Sequence, residues 1–289
     1  MSEVNRAMKR PDLIYDVGMH KGEDADYYLK KGFSVVGFEA DPDLAAYCRD
    51  WLSDAIKNCK LIIVEGAIAE TTSGGAKNKT IKFYKNTSVS VWGTVDADWA
   101  RRNEVLGASS EVIEVPVVDF AACLEKYGIP HYCKIDIEGM DAVCLRVFRR
   151  FEHKPDYLSI ESEKVSFDKL VEEVNLLSEL GYDRFKAVQQ SSIARQKEPN
   201  PSKENGYIGF QFGMGSSGLF GEDLSGEWIS KEKIINRYKV VFRRYRVFGD
   251  YGILRKSYPG KVIIKALSII MRRPIPGYYD THAKHADAA

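Results

Sequence analysis

Acidic residues at the ends of short apolar runs are the feature that most restricts how this chain can fold. Helical patterns separate the runs, and near-continuous apolar strands alternating with helices predict a parallel sheet covered on both faces. The runs are LIYDVG, FSVVGFEA, KLIIVEGA, YCKIDIEG and YLSIE, and their acids are Asp16, Glu39, Glu65, Asp136 with Glu138, and Glu161. Helix capping would explain one or two of these acids but not all. Because the carboxyl ends of parallel strands share one edge, we expect the acids to face a ligand there.

The loop after the first run, DVGMHKG, favours one kind of ligand over another. A dinucleotide-binding loop needs G-x-G-x-x-G without an acid beside the phosphate, whereas this loop has G-x-x-x-G and an acid. The acid suits a ligand ammonium, the next strand tip suits ribose hydroxyls, and the third suits adenine. These features predict S-adenosylmethionine (SAM) as cofactor, and they disfavour the alternative of an NAD-dependent oxidoreductase. The expected cofactor-binding residues are Asp16, Gly18, Gly22, Glu39, Glu65, Gly66, Ala67 and Asp136.

The strings YDVGMHKGEDADYYLKKGFSVVGFEADP, EGAIAE, IPHYCKIDIEG and PDYLSIE, in this order, resemble the FkbM-type SAM-dependent methyltransferases. GSSGLFGEDLSGEW and YYDTHAKH resemble the C-terminal portion of one subgroup. The resemblance implies an α/β fold with a Rossmann-like seven-stranded methyltransferase sheet and helices on both faces. It also implies methyl transfer to oxygen, with a saccharide or a glycosylated metabolite as acceptor.

A hydroxyl acceptor needs a base to remove its proton as the methyl group is transferred. Asp136 is the first candidate, either as the base or as a group that orients the ligand or the acceptor, and Glu161 on the neighbouring strand should face the acceptor. His20 in the first loop is a further candidate, although a solvent-facing loop histidine is an alternative. His282 becomes a candidate through the resemblance, with Asp280 available to orient it, and a frayed polar tail is the alternative.

Metal use and the acceptor side are less constrained by the sequence. Asp136, Glu138 and Glu161 could together hold Mg²⁺, which is possible but not predicted. Thr71–Glu114 contains Trp92 and Trp99 among hydroxyl side chains and is the expected acceptor side, a hairpin packed on the sheet being the alternative. A non-catalytic module that binds glycans or membranes is a third possible function. Nucleic acid is not expected as a substrate, because the motif that holds a flipped base is replaced by KIDIEG.

The C-terminal part of the chain is strongly basic. We expect a methyltransferase domain over residues 1–214 and a basic extension over 215–289 that packs on or caps it. From Lys231 to Arg273 there are 13 Lys or Arg residues against Glu232 and Asp250, although the whole chain has a net charge of +1. Such a segment suits a phosphate, a lipid headgroup or an acidic face of the same protein. The apolar helical pattern in 261–273 indicates either packing on the body or peripheral membrane contact.

Cysteine use and hydropathy indicate a cytoplasmic protein, possibly membrane-associated. The five cysteines include no C-x-x-C pair, which argues against a disulfide framework or a cysteine metal site. MSEVNRAMKRPD lacks the apolar core of a secretory signal, and no run approaches the roughly 20 apolar residues of a membrane span. The oligomeric state is not predicted.

Overall fold

The structure is a computed structural model that describes residues 5–69, 79–88, 90–105, 107–163, 165–213, 215–249, 252–270 and 277–288. Its strands are β1 (Lys9–Val17), β2 (Ser34–Glu39), β3 (Leu61–Glu65), β4 (Ala67–Ile68), β5 (Thr80–Asn86), β6 (Ser110–Val118), β7 (Ile129–Ile135), β8 (Tyr157–Glu161), β9 (Tyr182–Gln189) and β10 (Tyr279–His285). Its helices are α1 (Glu23–Lys30), α2 (Pro42–Trp51), α3 (Ser53–Lys57), α4 (Ala97–Val105), α5 (Phe120–Tyr127), α6 (Asp141–Phe148), α7 (Phe167–Glu179), α8 (Lys231–Phe248) and α9 (Tyr258–Ile270). No helix in these ranges is long and apolar enough to cross a membrane.

Seven strands form one sheet in the order β3-β2-β1-β7-β8-β10-β9. The five strands from β3 to β8 are parallel, and β10 runs antiparallel to both β8 and β9. The chain order reverses between β1 and β7, which is where parallel α/β sheets open a crevice for ligands. The prediction of a seven-stranded α/β sheet is therefore confirmed.

Alternate side chains of the central strands pack on opposite faces of the sheet. Leu13, Tyr15 and Val17 of β1 belong to a buried cluster that includes residues of α5, α6, α7 and α8. Ile14 belongs to a second cluster with residues of α1 and α2 and of the segment 210–224. This alternation follows from the two-residue period of a strand, and it confirms the prediction of helices on both faces.

A smaller sheet, in the order β4-β6-β5, stands beside the carboxyl edge of the large one. Gly66 separates β3 from β4, with φ at +132° and the position of a Cβ only 2.5 Å from the carbonyl oxygen of Pro116. A side chain at this position would collide with the backbone of β6, so glycine lets the chain pass from one sheet to the other. The strand predicted over 60–67 is therefore divided in two.

Other boundaries differ from the expectations in ways that matter for the site. The helix predicted over 44–58 is divided at Leu52 into α2 and α3. The strand predicted over 132–139 ends at Ile135, so Asp136 is the first residue beyond it. Residues 279–285, which the sequence analysis assigned to the basic extension, form β10 inside the large sheet.

Candidate functional site

A cavity of about 1130 Å³ lies along the carboxyl edge of the large sheet. This volume is sufficient for a donor and a small acceptor together. Seven of the predicted site residues line it: Gly18, His20, Glu39, Gly66, Ala67, Asp136 and Glu161. The other four predicted residues, Asp16, Gly22, Glu65 and His282, are not among the lining residues.

The loop between β1 and α1 approaches the start of the β7–α6 loop so closely that it needs glycine. Gly18 has φ at +82°, and a Cβ there would lie 2.0 Å from the carbonyl oxygen of Asp136. The backbone N–H groups of Gly18 and Met19 both donate to the carbonyl oxygen of Phe38, at 3.0 Å. The loop is thus held against β2 on one side and the Asp136 backbone on the other, which leaves backbone rather than side chain facing the cavity.

The carboxylate of Asp16 is paired with the side-chain ammonium of Lys134, and not with an exposed site for a ligand ammonium. It is fully buried, and its Oδ1 accepts a hydrogen bond from the Nζ of Lys134 at 3.1 Å, because the two residues are register partners in β1 and β7. Lys134 also donates to the carbonyl oxygen of Gly18 and lies 3.4 Å from Asp24. Burial lowers the pKa of Lys134, but the charges of Asp16, Asp24 and Asp136 outweigh burial and raise it well above its usual value. Direct contact of Asp16 with a donor ammonium therefore stays a prediction.

Glu39 lines the cavity where β2 ends. Its carboxylate oxygens accept hydrogen bonds from the backbone N–H groups of His20 and Asp41, both at 2.8 Å. Burial raises the pKa of Glu39 to about 7, although these two hydrogen bonds oppose the effect. The apolar side chains nearby on the lining are Ala40, Leu44, Ala67 and Ile68. An oriented carboxylate beside apolar walls fits the ribose and adenine of a nucleoside ligand.

Glu65 ends the next strand in register with Glu39 but has a different environment. Its carboxylate forms an ion pair with Arg49 at 2.7 Å, and a third of its side chain is exposed. Gly22 lies at the start of α1, where a Cβ would contact Leu52 and Trp51. The binding roles predicted for these two residues stay predictions.

His20 connects the first loop to the short helical turn that follows β5. Its Nε2 lies 2.8 Å from the hydroxyl of Ser90, and its Nδ1 lies 3.2 Å from a carboxylate oxygen of Glu23. Burial raises the pKa of Glu23, but hydrogen bonds from His20 and from backbone N–H groups outweigh it and lower that pKa overall. With both ring nitrogens engaged, His20 positions the loop, and its use as a base stays a prediction.

Three carboxylates on the wall of the cavity lie close together. One oxygen each from Asp136, Glu138 and Glu161 lies within 4.8 Å of the others. Glu138 has φ at +46°, accepts a hydrogen bond from the indole N–H of Trp99 at 2.6 Å, and is held through its carbonyl oxygen by the Thr94 hydroxyl. Acidic side chains often cluster in this way without a metal, so the geometry assigns no Mg²⁺ here.

Two further carboxyls, those of Asp141 and Asp280, lie next to this cluster and have raised pKa values. Burial, followed by the charge of Asp136, raises the pKa values of Asp141 and Asp280 well above their usual range. Asp280 lines the cavity, is the register partner of Glu161, and accepts a hydrogen bond from the side-chain amide of Gln190 at 2.9 Å. The sequence analysis had considered Asp280 only as a partner of His282. The available signal was the resemblance of YYDTHAKH to the C-terminal portion of one FkbM subgroup.

His282 lies two residues further along β10, about 7 Å deeper in the sheet. It is buried, with its ring parallel to that of Tyr132 and the ring centroids 6.5 Å apart. Burial lowers the pKa of His282 to about 3, so it is neutral at ordinary pH and a poor proton acceptor. The structure does not bring it together with the other predicted catalytic residues.

The opposite wall of the cavity comes from β5, from the turn after it and from α8. Phe83, Ser90, Trp92 and Thr94 belong to the segment predicted to face the acceptor, and Tyr245 belongs to α8. Residues 71–78, 89 and 106 of that segment lie outside the described residues. β5 pairs antiparallel with β6, but residues 87–109, which include α4, lie between the two strands, so they do not form the ordinary hairpin given as the alternative. The contribution of α8 carried no recognisable sequence signal.

Solved structures with a similar chain path are distant. A methyltransferase FkbM from Methylobacillus flagellatus is 19% identical, and the alignment covers 59% of this chain and 38% of that one, with a TM-score of 0.32. A precorrin-6y C5,15-methyltransferase from Geobacter metallireducens is 14% identical over 63% of this chain and 69% of that one, with a TM-score of 0.34. A TehB-like SAM-dependent methyltransferase from Corynebacterium glutamicum is 13% identical over 64% and 70%, with a TM-score of 0.32.

The family assignment rests on a domain match and not on these structures. No curated protein matches the sequence significantly. The methyltransferase FkbM domain matches residues 16–184, more than half of the chain, from Asp16 of β1 into β9. This range holds the first loop, Glu39 and the three-carboxylate cluster, and it confirms the resemblance found in the motifs. The chain belongs to the FkbM methyltransferase domain family.

Proposed function

We propose that this protein is a SAM-dependent O-methyltransferase that acts on a hydroxyl of a saccharide or a glycosylated metabolite. The observation that carries the proposal is the presence of Asp136 and Glu161 in the same cavity as Gly18 and Glu39. One end of the cavity suits a nucleoside, and the other end holds carboxylates that can accept a proton. This is the pairing that methyl transfer to a weakly nucleophilic hydroxyl needs.

The residues of the donor end would bind and orient the cofactor, whose sulfonium supplies an electrophilic methyl group. Glu39 would accept hydrogen bonds from ribose hydroxyls, and the Gly18 backbone would allow close approach at the tip of β1. Lys134 keeps the buried Asp16 and the Gly18 carbonyl in place. These residues hold their positions through backbone and ion-pair contacts, so the site is largely formed before a ligand arrives.

The residues of the acceptor end would remove the proton. Asp136 follows β7, and its backbone N–H donates to the carbonyl oxygen of Val17, which positions the side chain at the sheet edge. Either Asp136 or Glu161 would take the proton of the acceptor hydroxyl. The Trp92 ring suits stacking on a sugar, and the exposed hydroxyl of Ser90 suits hydrogen bonding to it.

Incubation with methyl-labelled SAM and a glycan extract, followed by mass spectrometry, tests the proposal. We expect label on a saccharide oxygen, and we expect Asp136→Asn or Glu161→Gln to lower product formation by about 100-fold or more while SAM binding by calorimetry persists. Label on nitrogen or carbon would contradict O-methylation. Binding heat on titration with NAD but none with SAM would favour the alternative of an NAD-dependent oxidoreductase. Unchanged turnover in both Asp136→Asn and Glu161→Gln would refute the assignment of the base.

We also propose a cytoplasmic location. The five cysteines are unpaired thiols in the structure, and three of them, Cys48, Cys133 and Cys144, are buried. Free thiols of this kind are usual in a reducing compartment. Fractionation of the native cell with an antibody against the protein tests this, and recovery in an extracellular fraction would contradict it.

A further inference from the structure

Helix α9 presents its apolar side to solvent, the reverse of an ordinary surface helix. Gly260 and Ile264 are its buried residues, and they lie on one side of the helix. An arc of about 140° on the other side is apolar at 100° per residue. Its large members are Tyr258, Val262, Ile263, Ile269 and Ile270, of which Tyr258, Ile269 and Ile270 are 81%, 67% and 76% exposed. Within the described chain, this face has no protein element to cover it.

Exposed cations border this apolar arc. Lys261 and Lys265 lie at one edge of it. The preceding helix, α8, exposes Arg237, Lys239, Arg243, Arg244 and Arg246. Since the segment from Lys231 to Arg273 has only two acids against 13 basic residues, its positive charge is not neutralised within the segment. An apolar stripe with flanking cations matches the interface of an anionic bilayer.

The same segment borders the mouth of the cavity. A Cβ on Gly260 would lie 1.9 Å from the carbonyl oxygen of Leu254, so α9 rests directly on the short helical turn Ile253–Lys256. That turn contributes Ile253 and Arg255 to the cavity lining, and α8 contributes Arg246. A surface that docks α9 would therefore lie beside the cavity entrance.

We propose that α8 and α9 form a docking surface for an anionic lipid bilayer, with the apolar face of α9 in the interface and the cations at the headgroups. The 13 residues of α9 extend about 20 Å, less than the roughly 30 Å hydrocarbon core, which fits a helix lying in the plane of the interface. A second copy of the chain is a poorer occupant, because two such cationic faces would repel each other. Docking would turn the cavity mouth toward molecules held at the membrane.

Vesicle flotation tests the apolar part of the surface. We expect the protein to float with phosphatidylcholine vesicles that contain phosphatidylglycerol, to float much less with phosphatidylcholine alone, and to be released by high salt. Ile269→Glu with Ile270→Glu should weaken binding on the order of 100-fold. The matched control is Ile62→Glu with Val112→Glu, which changes exposed apolar residues of β3 and β6 and should leave flotation unchanged.

Charge reversal tests the cationic part. Lys261→Glu with Lys265→Glu should weaken binding on the order of 30-fold, whereas Lys57→Glu with Lys60→Glu, exposed lysines elsewhere, should not. Circular dichroism and calorimetric titration with SAM confirm that each variant is folded and binds donor, so failure of docking is distinguishable from failure of the proposed function. Flotation that is absent, independent of lipid charge, or equal in all variants would overturn the proposal. The proposal would also be overturned if the protein did not bind vesicles but formed a dimer that the α9 variants abolish. That result would assign the apolar face of α9 to a second copy of the chain.

Discussion

At the scale of single residues, Gly18 has the strictest requirement in the site. Its left-handed backbone and the 2.0 Å approach of a Cβ to the Asp136 carbonyl oxygen exclude any side chain. Gly18→Ala should displace the Asp136 backbone, lower the free energy of unfolding on the order of 3 kcal/mol and weaken SAM binding. Gly107→Ala is the matched control, because Gly107 also has positive φ but no atom within 4 Å of its Cβ position, and it should cost about 1 kcal/mol. Denaturant unfolding and calorimetry measure both effects, and equal losses would show that backbone strain alone matters.

Glu39 and Glu65 provide a second comparison between neighbouring residues. They are register partners at adjacent strand tips, but Glu39 lines the cavity and Glu65 pairs with Arg49. At about pH 8.5, above the pKa of about 7 at which Glu39 ionises, Glu39→Gln should weaken SAM binding about tenfold or more, since a charged acceptor of ribose hydroxyls becomes neutral. Glu65→Gln should change it less than about twofold, as calorimetric titration will measure. A larger effect at position 65 would restore the binding role that its sequence position predicted.

At the scale of elements, a histidine on β7 makes stability depend on pH. His131 lies 2.8 Å from carboxylate oxygens of both Asp156 and Glu204. Burial lowers its pKa, but these hydrogen bonds outweigh burial and raise the pKa of His131 to about 9. A raised pKa in the folded state gives stability that is complete below the unfolded pKa of about 6.5 and is lost as pH rises through 9.

The stability difference between wild type and His131→Gln should therefore shrink on the order of 2 kcal/mol between about pH 6 and pH 9.5. Urea unfolding at the two pH values measures it. His153→Gln, which removes an exposed histidine, is the control. A difference that is the same at both pH values would contradict a charged His131 in the folded protein.

A buried group of three hydroxyls joins α8 to β10 and to the end of β8. The hydroxyl of Tyr238 lies 2.6 Å from those of Ser162 and Thr281, which are 2.8 Å apart. Tyr238→Phe should lower the free energy of unfolding by about 1–2 kcal/mol because two buried hydroxyls lose a partner. Tyr258→Phe, on the exposed face of α9, should change it by less than about 0.5 kcal/mol. If urea unfolding gave equal losses for Tyr238→Phe and Tyr258→Phe, the group of three hydroxyls would contribute nothing to holding α8 against β10.

At the scale of the whole molecule, ligand binding should be visible as stabilisation. The cavity is formed by loops after β1, β2, β7 and β8, by the smaller sheet and by α8, so a ligand in it contacts most layers of the fold. SAM at 100 times its Kd should add about 2.7 kcal/mol and raise Tm by roughly 5 °C, and NAD at the same concentration should not. Thermal unfolding measures both shifts, and a larger shift with NAD would contradict the choice of cofactor.

The acidic residues at the strand ends show which contacts can be predicted from local sequence pattern and which cannot. Asp136 and Glu161 could be placed at one edge from the sequence because parallel strands must end together, and the structure brings their carboxylates to the same cavity. Asp16 belongs to the same pattern, yet Lys134 meets it across the sheet. The pairing of β1 with β7 joins residues 118 positions apart, and no local signal specifies that partner.

The amino-acid sequence by itself determined the order of strands and helices and the acidic edge of the sheet, because hydrophobic periodicity and glycine spacing are local properties. Its motifs also indicated the family, through their resemblance to the FkbM-type methyltransferases. Only the tertiary structure decided that His282 is buried and neutral while Asp280 faces the cavity, and that α9 turns its apolar side outward. Those outcomes depend on β10 inserting between β8 and β9 and on α9 resting on the turn before it. Burial and contact between distant segments are produced by packing of the whole chain, and packing sets the charge and exposure of each side chain.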